Sequence, residues 1–524
     1  MSAGAEVRTM KGREVRALTA QVARARSGAG IGTILGDVYI AVFSAAIAVA
    51  MAASIAGQLG TGLRAPEGAG TLDPGWLAPL IALAGFGGLL AVTARLGPLG
   101  VGTAGAVWWL PMPVDRRSLL RPAAGRWLVA GLLVGAVAAG IVLALVAAAV
   151  PTGAVLALTL AAAACVGALV VAATGLTQTM DITASRRRAV HLAFAGDLAL
   201  LLAPVAGLVL SVTRPEPPDA AGLASGSVLV GVVAILAAGV VVAAVVLDAR
   251  LERVRGADLR ERGARAAYAS GAAVSMDTRE LGRAMSEASE PDARRRPLSF
   301  GWVTGPVSAL ASADLLVLLR SPRHVVQLVA TACLPIAAVL SGLSALWLTA
   351  ACLVGAGYVA ALASAEGARR AEMAPVLDRT FGIDATTTRR TRLIVPVGVL
   401  LVWTVPVFAV IGAHAGDAAG WVALGIVAAP VWGAGAVRAA YRRPPDWSGP
   451  LVMTPGGALP PGVAGAIAKG PDITILGLIP TLIAFLTGVV SPTLVFAQLA
   501  VTAIMCAIAA HVPAKHPRSG STSA

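Results

Sequence analysis

Residues able to do chemistry are few in this chain and fall in a small number of places. Asp197 lies inside an apolar run. An ionised carboxylate at the centre of a membrane-spanning helix costs roughly 2.5–3.5 kcal/mol, and less near its end. The position therefore calls for a cavity or a cation, and the expected partner is an arginine of Arg186–Arg188. The second place is WWLPMPVDRRSLLRPAAGR, Trp108–Arg126. Pro111 and Pro113 stop the incoming segment, and Val114–Leu120 predicts a short helix with Asp115 in its first turn, where the helix dipole favours an acid. Leu119 and Leu120 are then free to face an apolar groove while Arg116 and Arg117 reach acidic groups. A shorter echo follows at Ala374-Pro375-Val376-Leu377-Asp378-Arg379, with Ile383-Asp384 and the basic run Arg389, Arg390, Arg392 behind it. Such patterns make docking surfaces.

Catalytic signatures are missing. There is no G-x-x-x-x-G-K-[ST], and the dipeptide Gly-Lys never occurs, so the chain is not its own P-loop ATPase. No H-E-x-x-H, G-x-S-x-G or Cys-x-x-Cys occurs. The cysteines, Cys165, Cys333, Cys352 and Cys506, all fall in apolar runs, against structural disulfides and a zinc site. No catalytic residue, cofactor or metal is expected in this chain.

The elements that must position these residues are membrane helices. Apolar residues make up 57%, charged residues 13%, and mean hydropathy is +0.81. In a chain of 524 residues such apolar surface belongs in helices of about 20 residues, the span of a hydrocarbon core. The fold class is all-α, a polytopic membrane protein of about twelve spans in two six-span halves. The spans fall at 34–56, 76–93, 127–150, 152–177, 191–212 and 227–247, then 325–342, 345–363, 393–413, 418–436, 473–489 and 493–510. The halves are thus 34–247 and 325–511, with an amphipathic segment at 1–33, a charged linker at 248–324 and a tail at 512–524.

The linker holds 13 arginines and 10 acids. It predicts a helical extension of the sixth span, a second helix opening on the capping box Asp277–Glu280, and a surface helix from Pro306 to Arg323. That last helix occupies the place before span 7 that Met10–Ser27 occupies before span 1. Of the 41 lysines and arginines, all but Arg64 and Arg214 lie on one side, which the positive-inside rule makes cytoplasmic, with both termini. The net charge of +14 is accounted for by these loops, with no need for nucleic acid. Arginine dominates lysine and asparagine is absent, pointing to a GC-rich bacterium and its cell membrane. Gly131-x-x-x-Gly135 and Gly355-x-Gly357 predict close helix approach, and Pro335, Pro396, Pro406, Pro430 and Pro480 predict kinks or breaks.

With its basic amphipathic helix before the first span and a Pro-Val-x-Arg-Arg-like segment after the second, the chain resembles the permease subunits of ABC-2-type transporters. The echo at 374–379 and the segment Thr454–Asp472 resemble a family of two-half, ABC-2-like membrane proteins of GC-rich bacteria. The resemblance implies coupling to a separate cytoplasmic ABC-type ATPase, which binds the ATP, and export or flipping of a substrate. It assigns the docking role to Pro113, Asp115, Arg116, Arg117, Pro375, Asp378, Arg379 and Asp384. Two other classes fit the composition: a secondary transporter of the major facilitator kind, and a membrane scaffold. Against the former, the loop after span 2 lacks G-x-x-x-D-R-x-G-R-R.

Overall fold

In the computed structural model of the chain, residues 10–27, 74–146, 153–216, 226–274, 300–340, 346–373, 376, 378, 380–442, 452–454, 457–459 and 469–511 are described. Span 34–56, the capping box at Asp277, Pro375, Arg379 and most of Thr454–Asp472 lie outside them. The described residues are helical apart from a hairpin of β1 (Val452–Thr454) and β2 (Gly457–Leu459). Among them, 9 helices are long and apolar enough to cross a membrane, or up to 10 counting the bent pair Thr349–Ser364 and Glu366–Glu372. This is the architecture of a polytopic membrane protein.

The chain divides into two compact units, Met1–Glu290 with Leu340–Ala345, and Pro291–Val339 with Leu346–Ala524. In the first, the helices are α1 (Gly12–Ser27), α2 (Leu77–Leu96), α3 (Gly102–Trp108), α4 (Arg116–Val146), α5 (Ala154–Gln178), α6 (Ile182–Thr213), α7 (Gly226–Arg250) and α8 (Gly256–Val274). The main packing pairs are α2 with α6, α4 with α5, and α5 with α7. Small residues set the closest approaches. A Cβ at Gly135 would lie 2.2 Å from the Ala163 carbonyl oxygen, and one at Gly167 equally close to that of Gly131, so the Gly131-x-x-x-Gly135 face is a backbone-to-backbone seam. Gly196 meets Gly87 and Ala91 in the same way.

In the second unit the helices are α9 (Pro306–Leu319), α10 (Pro322–Leu340), α11 (Leu346–Ser364), α12 (Glu366–Met373), α13 (Ala385–Ala415), α14 (Ala418–Ala440), α15 (Pro471–Gly477), α16 (Ile479–Thr487) and α17 (Pro492–Ala510). The pairs α13 with α14, α14 with α17, and α11 with α15 and α16 repeat the neighbour pattern of the first unit in the same chain order. Here the core is aromatic. Trp421 and Trp432 are buried, and Trp421 packs edge-on to Phe485 with centroids 6.1 Å apart. Gly357 leaves room for the Trp432 indole, whereas Gly355 faces open space, so only half of that small-residue pair does the expected work.

The expected span 473–489 is two short helices meeting at Leu478. Pro480 has no N–H to continue the ladder there. The buried Gln498 amide enters the break: it donates to the Gly477 carbonyl at 2.8 Å and accepts from the Thr481 N–H at 3.2 Å. Those two backbone groups would otherwise bond each other, so the side chain replaces a helical hydrogen bond in an apolar setting.

Candidate functional site

The segment singled out after span 2 differs from its expectation. A short helix does form, but at α3, where Val107 and Trp108 are strongly exposed. Arg116 and Arg117 instead open the 31-residue α4, continuous with the third span. Asp115 caps it, accepting from the N–H groups of Arg117 and Ser118, each at 3.1 Å. The Ser118 hydrogen bond is the main reason its carboxyl lies below the usual range. Leu119 and Leu120 face no open groove: both are buried, and Leu120 packs with Leu99, Leu247, Leu251, Val254 and Leu259.

The rest of the segment is engaged within the unit. Pro113 accepts from the Met10 N–H at 3.0 Å, and the Asp115 N–H donates to the Met10 carbonyl at 3.1 Å, so Met10 bridges Val114 in parallel. Arg116 donates to the Val254 carbonyl at 3.1 Å. Arg117 and Arg121 both pair with Asp248, at 2.6 and 3.2 Å. Arg117 and Arg121 remain 46% and 73% exposed, so their charges still face outward. Pro122 explains the seat of α1. Lacking an N–H, it leaves the Ser118 carbonyl without its helical donor, and the Arg16 guanidinium supplies one at 2.8 Å, bonding Leu119 as well.

Asp197 is buried and its partner is Arg95, not an arginine of 186–188. Arg186 pairs with Glu261 of α8 at 2.8 Å. The reason is geometric: α2 and α6 touch along Gly87 and Gly196, which brings the end of α2 beside Asp197. A second buried polar hub, not anticipated, fixes α8. Arg262 bonds Asp258 at 2.9 Å and Ser185 at 2.9 Å, while Gln178 bonds Asp258 at 3.3 Å and both backbone groups of Leu99. Gly97, at φ 72°, ends α2 where a Cβ would lie 2.5 Å from Arg262. The spacing Asp258-x-x-x-Arg262 was readable as a helical ion pair; its burial was not.

In the second unit Asp384 caps α13, accepting from the Thr386 and Thr387 N–H groups at 3.0 Å, and the Thr387 hydrogen bonds hold its carboxyl below the usual range. Asp384, and not Asp378, is therefore the counterpart of Asp115, each capping a 31-residue helix. Asp378 turns inward, 2.7 Å from the guanidinium of buried Arg392, which also pairs with Asp314 of α9. Neither Asp314 nor Arg392 stood out in the sequence beyond an amphipathic helix and a basic run. Among the described residues no group of three His, Cys, Asp or Glu side chains comes together to hold a metal.

Fold and site together define a predominantly helical membrane protein of two units, with α1 seated on the start of α4 in one and α9 on the start of α13 in the other. Residues 67–450 match the family of unknown function DUF6297, and the chain belongs to that family. No curated protein and no solved structure matches it.

Proposed function

We propose that this chain is the membrane permease of an ATP-driven, ABC-2-like transporter, working with a separate cytoplasmic ATPase to export or flip its substrate. The observation that carries the reading is the repeated seat. In both units a shorter helix packs on the acid-capped start of a 31-residue helix, α1 on α4 and α9 on α13. A surface element fixed to the root of a spanning helix is what a soluble motor needs in order to move that helix. On this reading the arginine-rich side is cytoplasmic. The docking face is the exposed Arg117, Arg121 and Arg116 row, with Val107 and Trp108 beside it in sequence.

Charge reversal tests the proposal. Arg116→Glu with Arg117→Glu should leave membrane abundance near normal, because exposed pairs contribute under about 1 kcal/mol. Binding of the ATPase should fall by tenfold or more, since a reversed interfacial charge costs about 2–5 kcal/mol. The Gln double variant controls for loss of the Asp248 pair alone. Undiminished binding by a correctly inserted Glu variant removes the main support for docking at this row. Asp378→Arg does not serve here, because it sets a second cation against buried Arg392, whereas Arg117→Glu leaves Asp248 its pair with Arg121.

A further inference from the structure

The cluster under α9 holds two carboxylates and one guanidinium. Arg392 reaches Asp314 with one terminal nitrogen and Asp378 with the other. Side-chain exposures are 7% for Arg392, 4% for Asp314 and 16% for Asp378, so solvent screens little of their charge. Asp314 also packs onto the backbone of α12: a Cβ at Gly367 would lie 2.0 Å from its carboxylate oxygen. With both acids ionised these three side chains sum to one net negative charge in a dry site, which one proton would neutralise.

We propose that Asp314 and Asp378 form a proton-binding site around Arg392, taking up one proton between them, and that this proton tightens the seat of α9. The site is independent of the transport reading above. Other charged and titratable groups lie on the elements packed around it. On α12, Glu366 pairs with Arg369 and with Arg370. At the end of α14, Tyr441 is pushed up to about 12 by burial and stays neutral, while Arg389 of α13 lies 4.7 Å over its ring. Arg442 follows Tyr441, and Arg320, Arg323 and His324 lie at the junction of α9 and α10.

Burial, helped by the charge of Asp378 and opposed by Arg392, pushes Asp314 up to about 6. A carboxyl raised on folding binds its proton more tightly in the seated state. Its contribution is fully present below the ordinary 3.8 and is lost as pH rises through about 6.

The test uses the full chain reconstituted in lipid, titrated from about pH 8 to about pH 5, across the ordinary histidine range. Infrared difference spectra should show a protonated-carboxyl C=O band growing in with a midpoint of about 6. Amide exchange across Pro306–Leu319, corrected for its intrinsic pH dependence, should slow over the same interval. Asp314→Asn, which mimics the protonated acid, should fold, lose the band and show pH-independent protection. Asp378→Asn should keep the band but move it to lower pH, because the like charge is gone and Arg392 faces Asp314 alone. A band that survives Asp314→Asn unchanged, an Asp314→Asn chain that fails to fold, or exchange indifferent to pH in the wild type overturns the proposal.

Discussion

In the first unit α1 is held to the root of α4 by Arg16, whose guanidinium donates to two backbone carbonyls, one of them released by Pro122. In the second unit α9 is held to the root of α13 by a buried arginine and two buried acids. The place in the chain order is the same and the chemistry differs. A charged donor on neutral carbonyls has no group that titrates near neutrality, whereas two carboxylates on one cation do. The interiors differ in parallel. Gly and Ala seams bring α4 and α5 together, and the apolar window of Ser227–Arg253 is 0% buried; the window of Ala418–Ala440 is 67% buried among tryptophans and phenylalanines. The sparsely covered Ser227–Arg253 falls in the unit with the pH-silent seat, and the densely packed Ala418–Ala440 in the unit whose seat is two acids on one cation.

The comparison breaks most sharply at Arg392. Arg392→Gln strands two buried carboxylates, and removing one partner of a buried pair costs about 3–5 kcal/mol. Purified protein should lose most of its thermal stability at neutral pH and regain part of it on acidification, as the acids neutralise. If Arg392→Gln melts like wild type at every pH, the second seat is not electrostatic. Arg16→Gln should be milder, about 1 kcal/mol, because its carbonyl acceptors are partly solvated. Protease cleavage within Gly12–Ser27 should rise modestly, with no change between acid and neutral pH. A strong pH dependence in that variant would erase the distinction between the units.

The spans were legible because apolar runs are a direct consequence of lipid as solvent, and the start and end of α5 and α14 lie close to the hydropathy boundaries. Hydropathy opened other elements too late, α4 at 127 and α13 at 393 where the helices begin at Arg116 and Ala385. Arg116–Arg126 was separated from the third span because its arginines are polar, yet Asp115 caps one continuous helix. It also joined α15 and α16, since an apolar stretch hides the break that Gln498 bridges. The caps Asp115 and Asp384 could be read locally, because a cap is satisfied within a few residues. Partners such as Arg95 for Asp197, or Asp314 for Arg392, depend on which helices touch, over separations of 102 and 78 residues. One unaligned sequence does not carry that. The echo between 113–116 and 375–379 aligns Asp115 with Asp378 by sequence, whereas the acid that caps a helix as Asp115 does is Asp384.

The claim that a separate motor drives this chain is tested most directly by purifying it from its native membrane under mild detergent and asking what comes with it. The account predicts a P-loop ATPase of ABC type, hydrolysing ATP only with its own P-loop lysine intact and bound less tightly by the Arg116→Glu, Arg117→Glu variant. Transport that persists with no ATPase present, collapses with the proton gradient and is lost in Asp197→Asn would contradict it and favour a secondary transporter.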